Sequence, residues 1–183
     1  TTSAGTSNFA AGVNAGNSIA SGGNFNTVVG DEAGTAITTG DENVAVGFEA
    51  LTGDTLGSRS VAIGDSALKA QNFTTATNSY NTAVGMNAGA AVTTGLFNTL
   101  IGGLAGDALT DADYNVAVGQ KSLGADTLGS KSTALGYATL QVQNFTTATD
   151  SYNTAVGFEA GKAVTTGIDN VLIGAKAGDA LTD

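Results

Sequence analysis

Sixteen carboxylates, with no histidine and no cysteine, set the chemistry open to this chain of 183 residues. The nucleophile–base pairs of acyl transfer cannot be assembled without His or Cys, and a disulfide framework or thiolate metal site is excluded. Oxygen chemistry remains. Adjacent acids stand at Asp31–Glu32 and Asp41–Glu42, and two flanking carboxylates can hydrolyse a glycosidic bond. Their counterparts later in the chain are Gly103, Leu104, Asp113 and Tyr114. A repeat-borne active site should not vanish from one copy, so no catalytic residue and no enzyme activity are expected. Gly-Asp turns such as Asp54 and Asp126 could offer oxygens to calcium, but the glycine-rich calcium nonapeptide is missing and the ligand density is low. These acids read as solvated turn residues, and no metal or cofactor is expected. Six Lys and Arg against the sixteen acids give a net charge of −10, the wrong sign for a phosphate-backbone partner. No apolar run approaches the ~18 residues of a membrane-spanning helix, so no membrane insertion is expected in this segment.

The elements that would have to position any such chemistry are written in one phrase, Asn, any residue, apolar, Val or Ile, Gly, two variable residues, Ala. It opens near residues 8, 26, 43, 60, 81, 98, 115, 132, 153 and 170, with Ser60 and Ser132 replacing the Asn. From Asn26 the intervals are 17, 17, 21, 17, 17, 17, 21 and 17 residues. Residues 26–97 therefore repeat as 98–169, with 44 of 72 positions identical. Periods in this range mean stacked supersecondary units. The whole chain, 1–183, reads as a single solenoid and as a slice of a longer fibre.

Seventeen residues are too few for the helix pairs of common helical repeats. The apolar runs are rich in Val, Ile and Thr, which suit a pleated surface, and a Gly closes each run, as a sharp turn requires. The expectation is an all-β, parallel β-solenoid, a narrow roll with two short strands per coil and coils about 4.8 Å apart. Alternation sends the third and fourth positions of each coil to opposite faces. The fourth, Val29, Val46, Ile63, Val84, Ile101, Val118, Leu135, Val156 and Ile173, is assigned to the inside. The third, Ala45, Ala62, Ala83, Leu100, Ala117, Ala134, Ala155 and Leu172, is assigned outward, where its small residues suit a close neighbour. A strand apolar on both faces is buried on both, so the chain is expected to associate with itself through the third position. Asn and Thr columns are expected to bond coil to coil as side-chain ladders. The long coils carry Gln71–Asn78 and Gln143–Asp150. Asn72, Phe73, Thr74, Asn144, Phe145 and Thr146 in them combine an aromatic with polar groups, a composition suited to carbohydrate, and are expected as exposed receptor contacts.

The unit Asn81-Thr82-Ala83-Val84-Gly85-Met86-Asn87-Ala88-Gly89 resembles the repeat of the YadA-like head of trimeric autotransporter adhesins. The longer form ending Thr93-Thr94-Gly95 or Thr165-Thr166-Gly167 is similar to repeats in tail-fibre proteins of marine bacteriophages. The first resemblance implies a left-handed roll and a homotrimer. Together they imply a fibre shaft of a phage tail fibre that contributes to host-surface attachment, located in the virion or outside the cell, with host polysaccharide as a possible partner. A bacterial adhesin head, or a passive filament that only supplies length, are the alternatives the same resemblance leaves open.

Overall fold

The computed structural model describes residues 5–183; residues 1–4 of the span read as one solenoid lie outside the described residues. The protein is an all-β solenoid of about ten turns. Three-residue strands at Phe9–Ala11, Thr27–Val29, Val44–Val46, Val61–Ile63, Thr82–Val84, Thr99–Ile101, Val116–Val118, Thr133–Leu135, Thr154–Val156 and Val171–Ile173 form one 10-stranded parallel sheet in chain order. The register joins like positions, as in Ala45↔Ala62 and Ala62↔Ala83, and the 21-residue coil enters without slipping it. The four extra residues are taken up entirely outside the sheet.

Glycine at the fifth position is dictated by the stacking. Gly47 has φ +134°, and a Cβ there would overlap the carbonyl of Gly64 in the next coil. Left-handed residues such as Glu49 (φ 53°) and Arg59 (φ 63°) turn the chain at the two ends of each strand segment. The expected second strand is seen only beside the long coils, as Gly57–Ser58 with Thr77–Asn78 and Gly129–Ser130 with Thr149–Asp150. Between the other coils, side chains replace part of the ladder on this side. The Asn24 N–H donates to Asp41 Oδ1 at 2.6 Å, and the Asp41 N–H to Ser58 Oγ at 2.9 Å.

The two faces of the main sheet are the reverse of the expectation. Ala45, Ala62, Ala83, Leu100, Ala117, Ala134 and Ala155 are all fully buried inside the roll, and Leu172 packs partly buried against the same core. The fourth-position Val, Ile and Leu side chains point outward instead, with Ile63 and Ile101 each 38% exposed. The small third-position residues answer an internal constraint. Where the third position is Ala, as in Ala45 and Ala62, the ninth of the same coil can be Leu, as in Leu51 and Leu68, and these leucines are fully buried. Where the third is Val28 or Leu100, the ninth is Gly34 or Gly106. A Cβ on Gly34 would come within 2.7 Å of Val28 Cγ1, and one on Gly106 within 2.7 Å of Leu100 Cδ2. In the coil with Ala83 and Gly89, neighbouring coils fill the space: a Gly89 Cβ would meet Leu100 Cδ1 at 2.7 Å and Leu68 Cδ2 at 3.0 Å. Leu51, Leu68, Leu123 and Leu140 hold φ of 48–52°, at a cost of about 1–2 kcal/mol each. Burying a Leu side chain returns about 1.5–3 kcal/mol, so core filling offsets the strain.

The Asn column runs from side chain to backbone. Asn43 Nδ2 donates to the Gly57 carbonyl at 2.9 Å within its own coil, while its Oδ1 accepts the Ser60 N–H of the next coil at 2.9 Å. Thr110 Oγ1 donates upward to the Thr127 carbonyl at 3.1 Å, so the Thr hydroxyls are used between coils.

Candidate functional site

Four adjacent columns of side chains cover the outside of the main sheet. They are the residue before the opening Asn and the second, fourth and sixth positions. Of the seventeen exposed large hydrophobic residues among the described residues, fifteen fall in these columns. The column before the Asn holds Phe25 and Tyr152, with Tyr80, Phe97 and Tyr114 stacked face to face at 5.5 and 4.9 Å between centroids. The sixth position holds Phe48 and Met86, and Tyr137 stacks on Phe158 at 5.2 Å. Between them run Val, Ile and Thr. Stacking one coil on the next brings like side chains into contact, so a sequence column becomes a continuous apolar band.

Charge falls in the two flanking columns of this band, at Asp31, Glu42, Arg59, Asp65, Lys131 and Asp169. Arg59 pairs with Glu42 at 2.9 Å and lies over the Tyr80 ring at 5.7 Å. At the matching place 72 residues on, Lys131 pairs with Asp150 at 2.6 Å and lies over the Tyr152 ring at 5.2 Å. The Arg59 hydrogen bond and charge hold Glu42 below its ordinary pKa, and Lys131 does the same for Asp150. Both pairs are exposed and contribute little to stability. Of the acids in the band, Glu42 is neutralised in this way.

The insertion loops differ from the expectation at their aromatic residues. Phe73 and Phe145 are only 5% and 6% exposed, so they anchor the loops from below and are not receptor contacts. Asn72, Thr74, Asn144 and Thr146 remain exposed, although Asn72 and Asn144 accept hydrogen bonds from Thr55 and Thr127 at 3.0 and 3.1 Å. The physical reason is a buried polar splice beneath each loop. Asp54 is fully buried and is no solvated turn residue. Its Oδ1 accepts the N–H of Gly57 at 3.0 Å and of Phe73 at 3.2 Å, and its Oδ2 accepts Gln71 Nε2 at 2.5 Å. Gln71 Nε2 also donates to Ser60 Oγ at 2.7 Å, and Gln71 Oε1 accepts Asn81 Nδ2 at 2.9 Å. Ser60 and Ser79 share a hydroxyl contact of 2.6 Å. Asp126, Gln143, Ser132, Ser151 and Asn153 rebuild the arrangement in the second block. Burial pushes the Asp126 carboxyl above its ordinary pKa, against the hydrogen bonds it accepts, of which that from Gln143 counts most. Among the described residues no buried side-chain nitrogen or oxygen lacks a partner.

This splice was missed in the sequence, although it leaves a signal. The twelfth position of a coil is Ile37, Val92, Leu109 or Val164, but Asp54 and Gln71, then Asp126 and Gln143, beside the long coils. Serine opens a coil only where that coil is long. Among the described residues no group of three or more His, Cys, Asp or Glu side chains is placed to hold a metal ion. Neither a family model, nor a curated protein, nor a solved structure matches the chain.

Proposed function

We propose that the chain is a shaft segment of an extended fibre in which copies associate side by side through the outer face of the main sheet. The fibre serves attachment to a cell surface, in the manner of a phage tail fibre, and the resemblance to adhesin heads favours three copies. The concentration of exposed apolar side chains in four adjacent columns supports this reading. Ten strands and four columns span about 43 by 20 Å, or roughly 860 Å². A stable interface needs about 800 Å² from each partner. A second copy fits best because it offers apolar groups at the same ~4.8 Å interval along its whole length. The association residues are then Val46, Ile63, Val84, Ile101, Val118 and their column mates, with the flanking aromatics. The third-position alanines serve the core.

Light scattering on the size-separated fragment tests this. A mass of three times 17.8 kDa is expected. The double substitution Ile63→Glu with Ile101→Glu should reduce it to one copy while leaving the β signal in circular dichroism intact. A wild-type fragment that stays a single copy at all concentrations overturns lateral association. An assembled fragment without affinity for surface polysaccharide is a passive filament.

A further inference from the structure

We propose that the second block carries a saccharide subsite in the hollow between Asp107, Lys121 and Gln141, taking one neutral pyranose unit of a surface polysaccharide. The proposal deepens the attachment reading above by naming a contact, and it does not depend on lateral association.

The hollow has a volume of about 230 Å³ and is lined by Leu104, Asp107, Lys121, Gly124, Gln141 and Val142 among others. That is below the ~300–1,000 Å³ of pockets for drug-sized ligands and suits a single small ring. Among the described residues, Asp107 and Lys121 form no ion pair with each other or with another side chain, in contrast to Arg59, Lys69, Lys131 and Lys162. The Asp107 carboxylate accepts a hydrogen bond from its own backbone, and partial burial raises its pKa, with the Lys121 charge only partly offsetting this. An acceptor-only carboxylate and a donor-only ammonium lining one hollow, with a Gln amide that does both, match a vicinal diol, whose hydroxyls both donate and accept. Leu104 and Val142 supply an apolar surface for the C–H face of the ring. Val142, 41% exposed, is one of only two exposed large hydrophobic residues outside the association face. The net charge of −10 disfavours an anionic ligand and leaves a neutral one unopposed.

The first block shows the same surface closed. Its counterparts of Leu104, Asp107, Lys121, Gly124, Gln141 and Val142 are Glu32, Thr35, Glu49, Thr52, Lys69 and Ala70, so each differs. Thr35 Oγ1 and Thr52 Oγ1 both donate to the Glu32 carbonyl at 2.6 Å, and Lys69 pairs with Glu49 at 2.5 Å. The polar groups there satisfy one another. Gly124, where the first block has Thr52, leaves the second hollow without that side chain, and a Cβ restored at Gly124 would lie 3.4 Å from Asp107 Oδ1.

Saturation-transfer NMR on the whole fragment tests the site, with methyl α-D-glucopyranoside, methyl β-D-galactopyranoside and soluble dextran as probes. The glycosides report a terminal unit and dextran an internal one. Transfer to ring protons of at least one probe is expected. It should be lost in Gly124→Thr, which copies the first block, and in Asp107→Ala, with thermal melts confirming that both remain folded. It should persist in Lys176→Ala, which removes an exposed lysine outside the hollow. No transfer to any probe, or transfer unchanged in Gly124→Thr, overturns the subsite. Light scattering on the same sample keeps that outcome separate from a failure of the fibre to assemble.

Discussion

The two 72-residue blocks share their buried splice and most of the inner alanines, with Val28 and Ile37 exchanged for Leu100 and Leu109, and diverge most at the outer sixth position. Ala45, Ala62 and Ala83 recur as Ala117, Ala134 and Ala155, and every member of the splice recurs with its geometry. The Asp–Gln contact is 2.5 Å in both blocks, and the contact from Gln to the opening Ser is 2.7 and 2.9 Å. On the outer surface Phe48 faces Gln120, Asp65 faces Tyr137 and Met86 faces Phe158 across the repeat. Stacking explains the contrast. An inner side chain touches its equivalents above and below, so a change in one coil is felt in three. An outer side chain at the sixth position meets solvent on one side and tolerates replacement. The rod thus keeps its construction while its surface is free to vary from block to block.

The equivalence of the splices is the easiest part of this comparison to break. Removing the amide in Gln71→Ala or Gln143→Ala strips Asp and Asn of a partner inside the roll. Leaving a buried group without its hydrogen-bond partner costs about 1–3 kcal/mol, more for a charged one, and two groups lose theirs here; urea denaturation should show the same loss for both variants. Unequal losses would mean that the two splices are not equivalent. The ninth-position leucines come next. Leu51→Ala and Leu123→Ala each leave a cavity and should lose about 2–5 kcal/mol, measured in the same way. A loss below about 1 kcal/mol would show that the coil closes around the smaller side chain, because Ala bears the same strain at φ near 52° as Leu. The smallest effect is on pH dependence. Burial raises Asp126 in the folded protein, which therefore holds the proton more tightly than the unfolded chain does. The stability contributed by this group rises as pH falls through the folded pKa and is complete below the unfolded one. Thermal melts across the acidic range should show a steeper gain on acidification in the wild type than in Asp126→Asn.

The period, the parallel stacking and the glycine turns were legible because each is enforced in every coil. The direction of the sheet faces was not. In Val44-Ala45-Val46 both faces are apolar, and three residues give alternation nothing to anchor on. Bulk then misled, since a narrow interior takes the small residue and sends the large one out. The ninth position was the missing clue, because Leu occurs there only in coils whose third residue is Ala. Phe73 was misjudged for a related reason. Its neighbours Asn72 and Thr74 are polar and exposed, but the Phe closes over a buried Asp 19 residues earlier, a distance that only the coil geometry makes short.

The splice also sets how such a rod can change in length. Asp54 requires the Gln one coil later, and Ser60 requires the long coil that supplies Ser79. Deleting one coil from this group strands a buried carboxylate or an amide, whereas deleting four in phase joins equivalent residues and strands nothing. Exchange between the blocks in phase keeps the splice whole and shortens or lengthens the rod by 72 residues, or about 19 Å, at a time.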